Sequence, residues 1–323
     1  MKKNILLIHT GGTISMKVSS ETGAVILNER NPLIGESQSL AKYANLMEVE
    51  AFNVPSPHVT TKEMLALRDV IVDYAMKFAI DGVVITHGTD TLEETAYFLD
   101  LTTRFNFPIV LTGAMRSSNE LGADGVYNLV EAVRVACDEH SREKGVLVVM
   151  NDEVHLAFNI TKTSTSSVNT FQSPQYGPIG LITKKRVHIH HSPVRRQFVE
   201  VASIEKRVAL LKVYAGMDGD LIDSITELNY DGLVLEGLGQ GNVPPTVAAS
   251  IEKLLKKNIP VVLVSRCFNG IAEGVYGYEG GGKQLEDAGV IFANGINGQK
   301  ARLKLLIGLN QVHTPVDLKR FFE

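Results

Sequence analysis

The sequence predicts an α/β protein built on parallel sheets, divided into two domains. Short apolar runs alternate with amphipathic stretches of helical length, which is the pattern of βαβ units. A chain of 323 residues exceeds one ordinary hydrophobic core, so two domains are expected. The halves also echo each other. Asp81-Gly82-Val83-Val84 and Pro108-Ile109-Val110-Leu111 correspond in spacing to Asp231-Gly232-Leu233-Val234 and Pro260-Val261-Val262-Leu263.

Composition narrows the function. Hydrophobic residues make up 44% and charged residues 21% of the chain, and Asp plus Glu outnumber Lys plus Arg by 36 to 32. No basic footprint for nucleic acid or an anionic membrane is visible, so neither is an expected partner. The two cysteines, Cys137 and Cys267, lie far apart and outside any C-x-x-C pattern, which argues against a disulfide framework or zinc site and fits a reducing compartment. Met1-Lys2-Lys3 leads straight into the first strand without a secretory apolar region, and no apolar run reaches membrane-spanning length. A cytoplasmic location is the expectation.

The first strand, in ILLIHTGGTIS (Ile5 to Ser15), is broken by Gly11-Gly12, with Thr13 just beyond. Paired glycines admit backbone conformations closed to other residues, so Thr13 either caps a tight turn or is presented at the carboxyl edge of a sheet, where α/β proteins bind ligands. Residues 15 to 35 show no sustained periodicity and read as a lid or a mobile surface loop. A second strand is expected over Val49 to Val54, followed by Pro55-Ser56-Pro57-His58. Thr60 and Glu63 form a capping box for a helix whose apolar stripe is Met64, Leu67, Ile71, Tyr74, Ala75 and Phe78.

Next come a strand (Val83 to Thr86), a helix (Leu92 to Arg104), a strand (Pro108 to Thr112), a loop (Gly113 to Asp124), a helix (Val126 to Glu139) and a strand (Val146 to Met150). Residues 152 to 190 are rich in Thr, Ser and Asn, with Thr183 to His191 read as a hairpin arm. The polar stretch from Ser192 to Lys206 is the expected linker between domains at 1–191 and 207–323. The second domain repeats the alternation, with strands at Val208 to Val213, Leu233 to Glu236, Val261 to Val264 and Val290 to Ala293. Its helices are expected over Asp220 to Leu228, Thr246 to Lys257 and Gln299 to Leu309, before a last helix capped by Thr314 with Pro315 at its first position.

Two further segments can carry chemistry. Thr86-His87-Gly88-Thr89-Asp90-Thr91 stands where a buried strand turns into a helix, the place Thr13 holds in the first unit. Asp90 or Thr91, with Glu93 or Glu94, would also make an ordinary capping box. In Thr161-Lys162-Thr163, a lysine drawn into a half-buried site among hydroxyls could lose its proton and act as a base, whereas a lone loop lysine is otherwise a solvated surface residue.

GGTIS around Thr13, THGTDT around Thr89, GAMR at Gly113 to Arg116 and TKT around Lys162, in that order, resemble the bacterial-type L-asparaginases, and the resemblance runs essentially end to end. It implies a flavodoxin-like parallel-sheet N-terminal domain, a smaller α/β C-terminal domain, no cofactor or metal, and a homotetramer built as a dimer of dimers. It implies Thr13 as nucleophile and Thr89, Asp90 and Lys162 as the accompanying hydroxyl–carboxylate–lysine set. Ser56 would bind the substrate α-carboxylate, and Asp90 the α-ammonium group. Gly12, Gly88, Thr89 and Ala114 join the substrate-binding set, with backbone N–H groups near Thr89 and Ala114 as oxyanion donors. Asn242 and Glu279 would serve a neighbouring subunit's site. Two departures stand out: no tyrosine occurs between Ile14 and Lys42, where the family's lid commonly carries one, and Pro57 replaces a glutamine that often follows the binding serine.

The same sequence admits other readings. Gly237-Leu238-Gly239-Gln240-Gly241-Asn242 resembles a dinucleotide fingerprint, but lacks the third glycine and the following acidic residue. His188, His190 and His191 have no carboxylate or cysteine at ligand spacing and read as an exposed arm. An amino-acid-sensing module would not need all of Thr13, Thr89, Asp90 and Lys162. The amide-hydrolysing subunit of a tRNA-dependent amidotransferase usually carries an extra N-terminal domain, whereas here a strand begins at the fourth or fifth residue.

Overall fold

The computed structural model describes residues 2–27, 33, 40–194, 196–311 and 314–323. The chain divides into two compact units, Met1–Phe198 and Val199–Glu323. In the first, β1 (Lys3–His9) is followed by β2 (Met16–Val18), β3 (Val25–Leu27), β4 (Ala44–Glu50), α1 (Thr61–Lys77), β5 (Gly82–Thr86), α2 (Leu92–Thr102), β6 (Ile109–Thr112), α3 (Gly125–Cys137) and β7 (Val146–Met150). Five short strands complete the unit: β8 (Glu153–Leu156), β9 (Thr161–Lys162), β10 (Phe171–Gln172), β11 (Gly180–Ile182) and β12 (Val187–Ile189).

Five neighbouring strands run parallel in the order β4-β1-β5-β6-β7. That is the 2-1-3-4-5 order of a flavodoxin-like doubly wound sheet, which binds ligands beside its first strand, at the carboxyl ends. The order follows from burial. Ile5, Leu6, Leu7 and Ile8 of β1 are all fully buried, as are Val83, Val84 and Ile85 of β5, so these strands need cover on both faces and occupy the centre. α3 supplies part of that cover by packing Leu129, Ala132, Val133 and Ala136 against Ile5, Leu7, Val84 and Val110. Beyond β7 the sheet continues antiparallel through β8, β11 and β12. Asn151 and Asp152, at φ 52° and 66°, make the two-residue turn into β8.

Several sequence expectations need correction. The second strand is Ala44–Glu50 rather than 49–54. As an edge strand it tolerates Asn45, Glu48 and Glu50, and these polar residues hide it from a search for apolar runs. The stretch after Thr13 is not wholly irregular: β2 and β3 form an antiparallel hairpin, while the lid expectation over 28–32 and 34–35 lies outside the described residues. The arm expected over Thr183 to His191 is the β11–β12 hairpin, with residues 183–186 as its turn. Lys162 is not outside regular structure but on β9, paired with β10.

In the second unit β13 (Val208–Lys212), β14 (Gly232–Gly237), β15 (Val261–Ser265) and β16 (Ile291–Phe292) form a parallel sheet in sequence order. Helices α4 (Asp220–Glu227), α5 (Pro245–Lys256), α6 (Gly282–Ala288), α7 (Gly298–Gln311) and α8 (Pro315–Phe322) accompany it. The sequence gives no sign of α6, which is short and begins inside a glycine-rich stretch. Thr314 caps α8 as expected, its hydroxyl accepting from the Asp317 N–H at 3.1 Å.

The capping box of α1 is present in full, with Glu63 accepting from the Thr60 N–H at 2.8 Å and Thr60 accepting from Lys62 at 3.2 Å. Thr60→Ala removes the side-chain half of this box and is expected to cost about 1 kcal/mol, read as a lowered unfolding midpoint with unchanged activity.

Candidate active site

β1 and β5 are neighbours in register, with His9 opposite Thr86, so their carboxyl ends are level. Just past β1, both the N–H and the hydroxyl of Thr10 donate to the Thr86 carbonyl, at 3.1 and 2.8 Å. Gly11 and Gly12 then turn the chain with φ of 96° and 85°. At Gly12 the loop after β1 meets the loop after β5 without any side chain between them. A Cβ on Gly12 would lie 2.2 Å from the Gly88 Cα, and one on Gly88 would lie 2.7 Å from both Cβ and Oγ of Ser56. Three loops, those after β1, β4 and β5, are therefore pressed together at one point, and Thr13 and Thr89 each follow a glycine of that contact.

Thr89 is buried at 5% exposure, while Thr13 is half-buried. Lys162 Nζ donates to Thr89 Oγ1 at 3.0 Å and to Asp90 Oδ1 at 2.7 Å. Ser56 is buried, and its Oγ accepts from the Asp90 N–H at 3.2 Å. Ala114 is buried in the loop after β6, whose Gly113 packs on Thr89: a Cβ there would sit 3.2 Å from Thr89 Cγ2. The Met115 and Arg116 amides hold this loop through the Asp124 carboxylate, each at 3.0 Å.

Residues 4–195 match the family described as "Asparaginase, N-terminal", and residues 207–322 match "Glutaminase/Asparaginase C-terminal domain". The chain belongs to the asparaginase family. A protein of Deinococcus radiodurans named "Probable L-asparaginase" is 39% identical over 98% of this chain and 96% of its own length. A "Probable L-asparaginase periplasmic" of Haemophilus influenzae is 35% identical over 99% and 92%. The crystal structure of a probable cytoplasmic L-asparaginase from Campylobacter jejuni superposes with a TM-score of 0.87 at 30% identity, covering 99% of both chains.

Within this asparaginase-family fold, the capping alternatives give way to other partners. Thr13 opens a short 3₁₀ turn with Gly12 at its N-cap and no side-chain cap; the hydroxyl returning to the Gly12 carbonyl is that of Ser15, at 2.9 Å. Thr91 is the N-cap of α2 but makes no side-chain cap either, donating instead to the Ser56 carbonyl at 2.8 Å. The Asp90 carboxylate turns to Lys162, and Glu93 accepts from Thr161 Oγ1 at 3.2 Å. Asp90, Thr91 and Glu93 at the start of α2 each reach a tertiary partner.

Behind the site two histidines are buried and neutral. His87 Nδ1 faces the Gly88 carbonyl at 2.8 Å and its Nε2 faces Thr95 Oγ1 at 3.0 Å, an arrangement that assigns the proton to Nδ1. His9 Nδ1 lies 2.9 Å from Thr86 Oγ1. Burial pulls both pKa values down to about 4.

Asn242 and Glu279 belong to the second unit. The Asn242 side chain accepts from the Gly282 N–H at 3.0 Å at the start of α6, and its backbone pairs with Leu238 to close the Gly239–Gly241 turn. That turn closes on itself before Pro244 and α5 begin, unlike a dinucleotide loop that opens directly into a helix. Glu279 is exposed. Among the described residues, no three His, Cys, Asp or Glu side chains are grouped to hold a metal ion.

Gly12→Ala is expected to cost on the order of 3 kcal/mol, because the added carbon meets backbone at a positive φ, and to abolish activity by parting the loops. Circular dichroism melting beside an activity assay reads both effects. His9 and His87 should stay neutral by NMR titration down to about pH 5. With folded values near 4 and an unfolded value of 6.5, the unfolded chain binds the extra protons, so their contribution to stability is lost as pH falls from 6.5 towards 4.

Proposed function

We propose that this chain is an L-asparaginase, hydrolysing L-asparagine to L-aspartate and ammonia through a threonine-linked β-aspartyl-enzyme. The observation that carries this reading is Lys162 Nζ bonded to both Thr89 and Asp90, beside the Gly12–Gly88 contact that presents Thr13. An amide is a poor electrophile and a threonine hydroxyl a poor nucleophile, so each needs a positioned partner. Thr13 Oγ1 attacks the side-chain carboxamide carbon, the C–N bond breaks, and ammonia leaves with the proton that the hydroxyl gave up. Water then attacks the ester carbon, the Thr89 hydroxyl takes the water's proton while passing its own to the Lys162 amine, and that proton returns to the Thr13 oxygen as the ester bond breaks and aspartate is released.

The negative oxygen formed in each step needs fixed donors. The Thr89 and Ala114 amides have no hydrogen-bond partner among the described residues and serve here, each such donor lowering the barrier by about 3 kcal/mol. Ser56 and Asp90, joined by the 3.2 Å bond, hold the α-carboxylate and α-ammonium groups and so fix the carboxamide against Thr13. Without a tyrosine from Ile14 to Lys42, the first proton leaves Thr13 through another lid group or a water. Pro57 offers no side-chain amide to a substrate.

The same reading extends to assembly and place. The chain acts as a homotetramer, a dimer of dimers in which Asn242 and Glu279 reach a neighbour's site, and residues 192–206 link its domains. It works in the cytoplasm on a small-molecule amide; no described helix is long and apolar enough to cross a membrane.

Incubation with asparagine should release ammonia and aspartate in equal amounts. Thr13→Ala should lower kcat at least 1,000-fold, on the order of 4 kcal/mol of barrier, while the protein melts normally. Mass spectrometry of acid-quenched wild type should find the acyl group on the peptide bearing Thr13. An amino-acid-sensing module would bind asparagine and release nothing.

A further inference from the structure

Lys162 has four side-chain torsions to restrain and stands on a ribbon only two residue pairs long, Thr161 with Gln172 and Lys162 with Phe171. Ordering such a side chain costs rotamer entropy, and so short a ribbon cannot hold its own place. Its placement must come from what the ribbon is tied to. Two buried groups outside the ribbon, one for each of its strands, supply that.

On β9, the neighbour of Lys162 is anchored by α2: Thr161 Oγ1 donates to Glu93 Oε1 at 3.2 Å. Glu93 is only 4% exposed and stands one turn beyond Asp90, so a single helix start fixes both an acceptor of Lys162 Nζ and the strand that bears it. The helix N-terminus also favours a carboxylate there. At the end of β10, Ser173 Oγ meets His155 Nδ1 at 2.9 Å, and His155 Nε2 meets Glu153 Oε2 at 3.2 Å. His155 is fully buried on β8, within the main sheet. The carboxylate on one ring nitrogen orients the other towards Ser173. Between the two anchors, Thr163 N–H and Oγ1 both reach the Thr170 carbonyl at 2.8 Å and close the connecting loop.

We propose that Glu93, through Thr161, and His155, through Ser173, are positioning residues that hold Lys162 at Thr89. The inference rests on the asparaginase reading above for its kinetic consequence. Misplacing a reacting group by about 1 Å can cost up to a hundredfold in rate, so even a small release of the ribbon is measurable.

Thr161→Val and Ser173→Ala each remove one hydroxyl and little else. Each should lower kcat for asparagine about tenfold, with KM changed by no more than about twofold, and Thr161→Ser should restore the rate. Thr161→Val placed on Lys162→Ala should be no slower than Lys162→Ala alone, because the anchor acts only through that lysine. Losses that multiply in the double variant, or single variants with wild-type kcat, overturn the proposal. Crystal structures of the single variants judge it without turnover: Nζ should leave hydrogen-bond reach of Thr89 Oγ1, and finding it still at 3.0 Å overturns the assignment. A wild type that releases no ammonia would instead sink the asparaginase reading, leaving the crystal structures of the variants to decide the positioning.

Discussion

Gly12 and Gly88 meet backbone to backbone where the loops after β1 and β5 leave the sheet, and the rest of the site takes its geometry from that meeting. A side chain at either position would hold the loops apart. The doubly wound strand order makes the approach available, because β1 lies beside β5 with level ends. Ser56 then packs against Gly88 from the loop after β4, so the loops of three neighbouring sheet strands meet at one point. The exact-fit requirement falls on atoms that carry no chemistry, and the threonines beside them inherit their positions.

The start of α2 shows what such a site costs a fold. A helix N-terminus ordinarily recruits nearby hydroxyls and carboxylates to cap its free amides, a gain of about 1 kcal/mol. α1 does this in full with Thr60 and Glu63. α2 carries the same residue types, yet Thr91 bonds Ser56, Asp90 bonds Lys162 and Glu93 bonds Thr161. Each of these bonds joins the helix start to a distant segment of the chain. The neutral histidines behind the site complete the arrangement, since His87 braces Gly88 from below without placing a charge in the core.

Much of this was legible from residue patterns. The central strands stand out because burial on both faces demands unbroken apolar runs, and the α1 and α8 caps were readable because each is local in sequence. The misread places share a physical cause. β4 is an edge strand whose solvent-facing side admits acids and amides, so its position was set too late in the chain. The β2–β3 hairpin is held partly from outside, by Ser118 and Asn119 of the loop after β6, across a hundred residues of sequence. The α2 residues matched a capping-box pattern, and only the tertiary structure shows that Thr91 makes no side-chain cap and bonds Ser56 instead.

Taken alone, the order of residues determined the alternation of strand and helix, the glycine breaks at strand ends, and the kinds of side chain placed after them, because all of these rest on interactions within a few neighbours. It also determined the kinship carried by GGTIS, THGTDT and TKT. What only the tertiary structure decided is where those segments meet: that Gly12 touches Gly88, that Lys162 crosses 73 positions to reach Thr89, and that Glu93 accepts from Thr161. Such contacts depend on strand order and on what is excluded from the space between loops, and neither is encoded in any short stretch of chain.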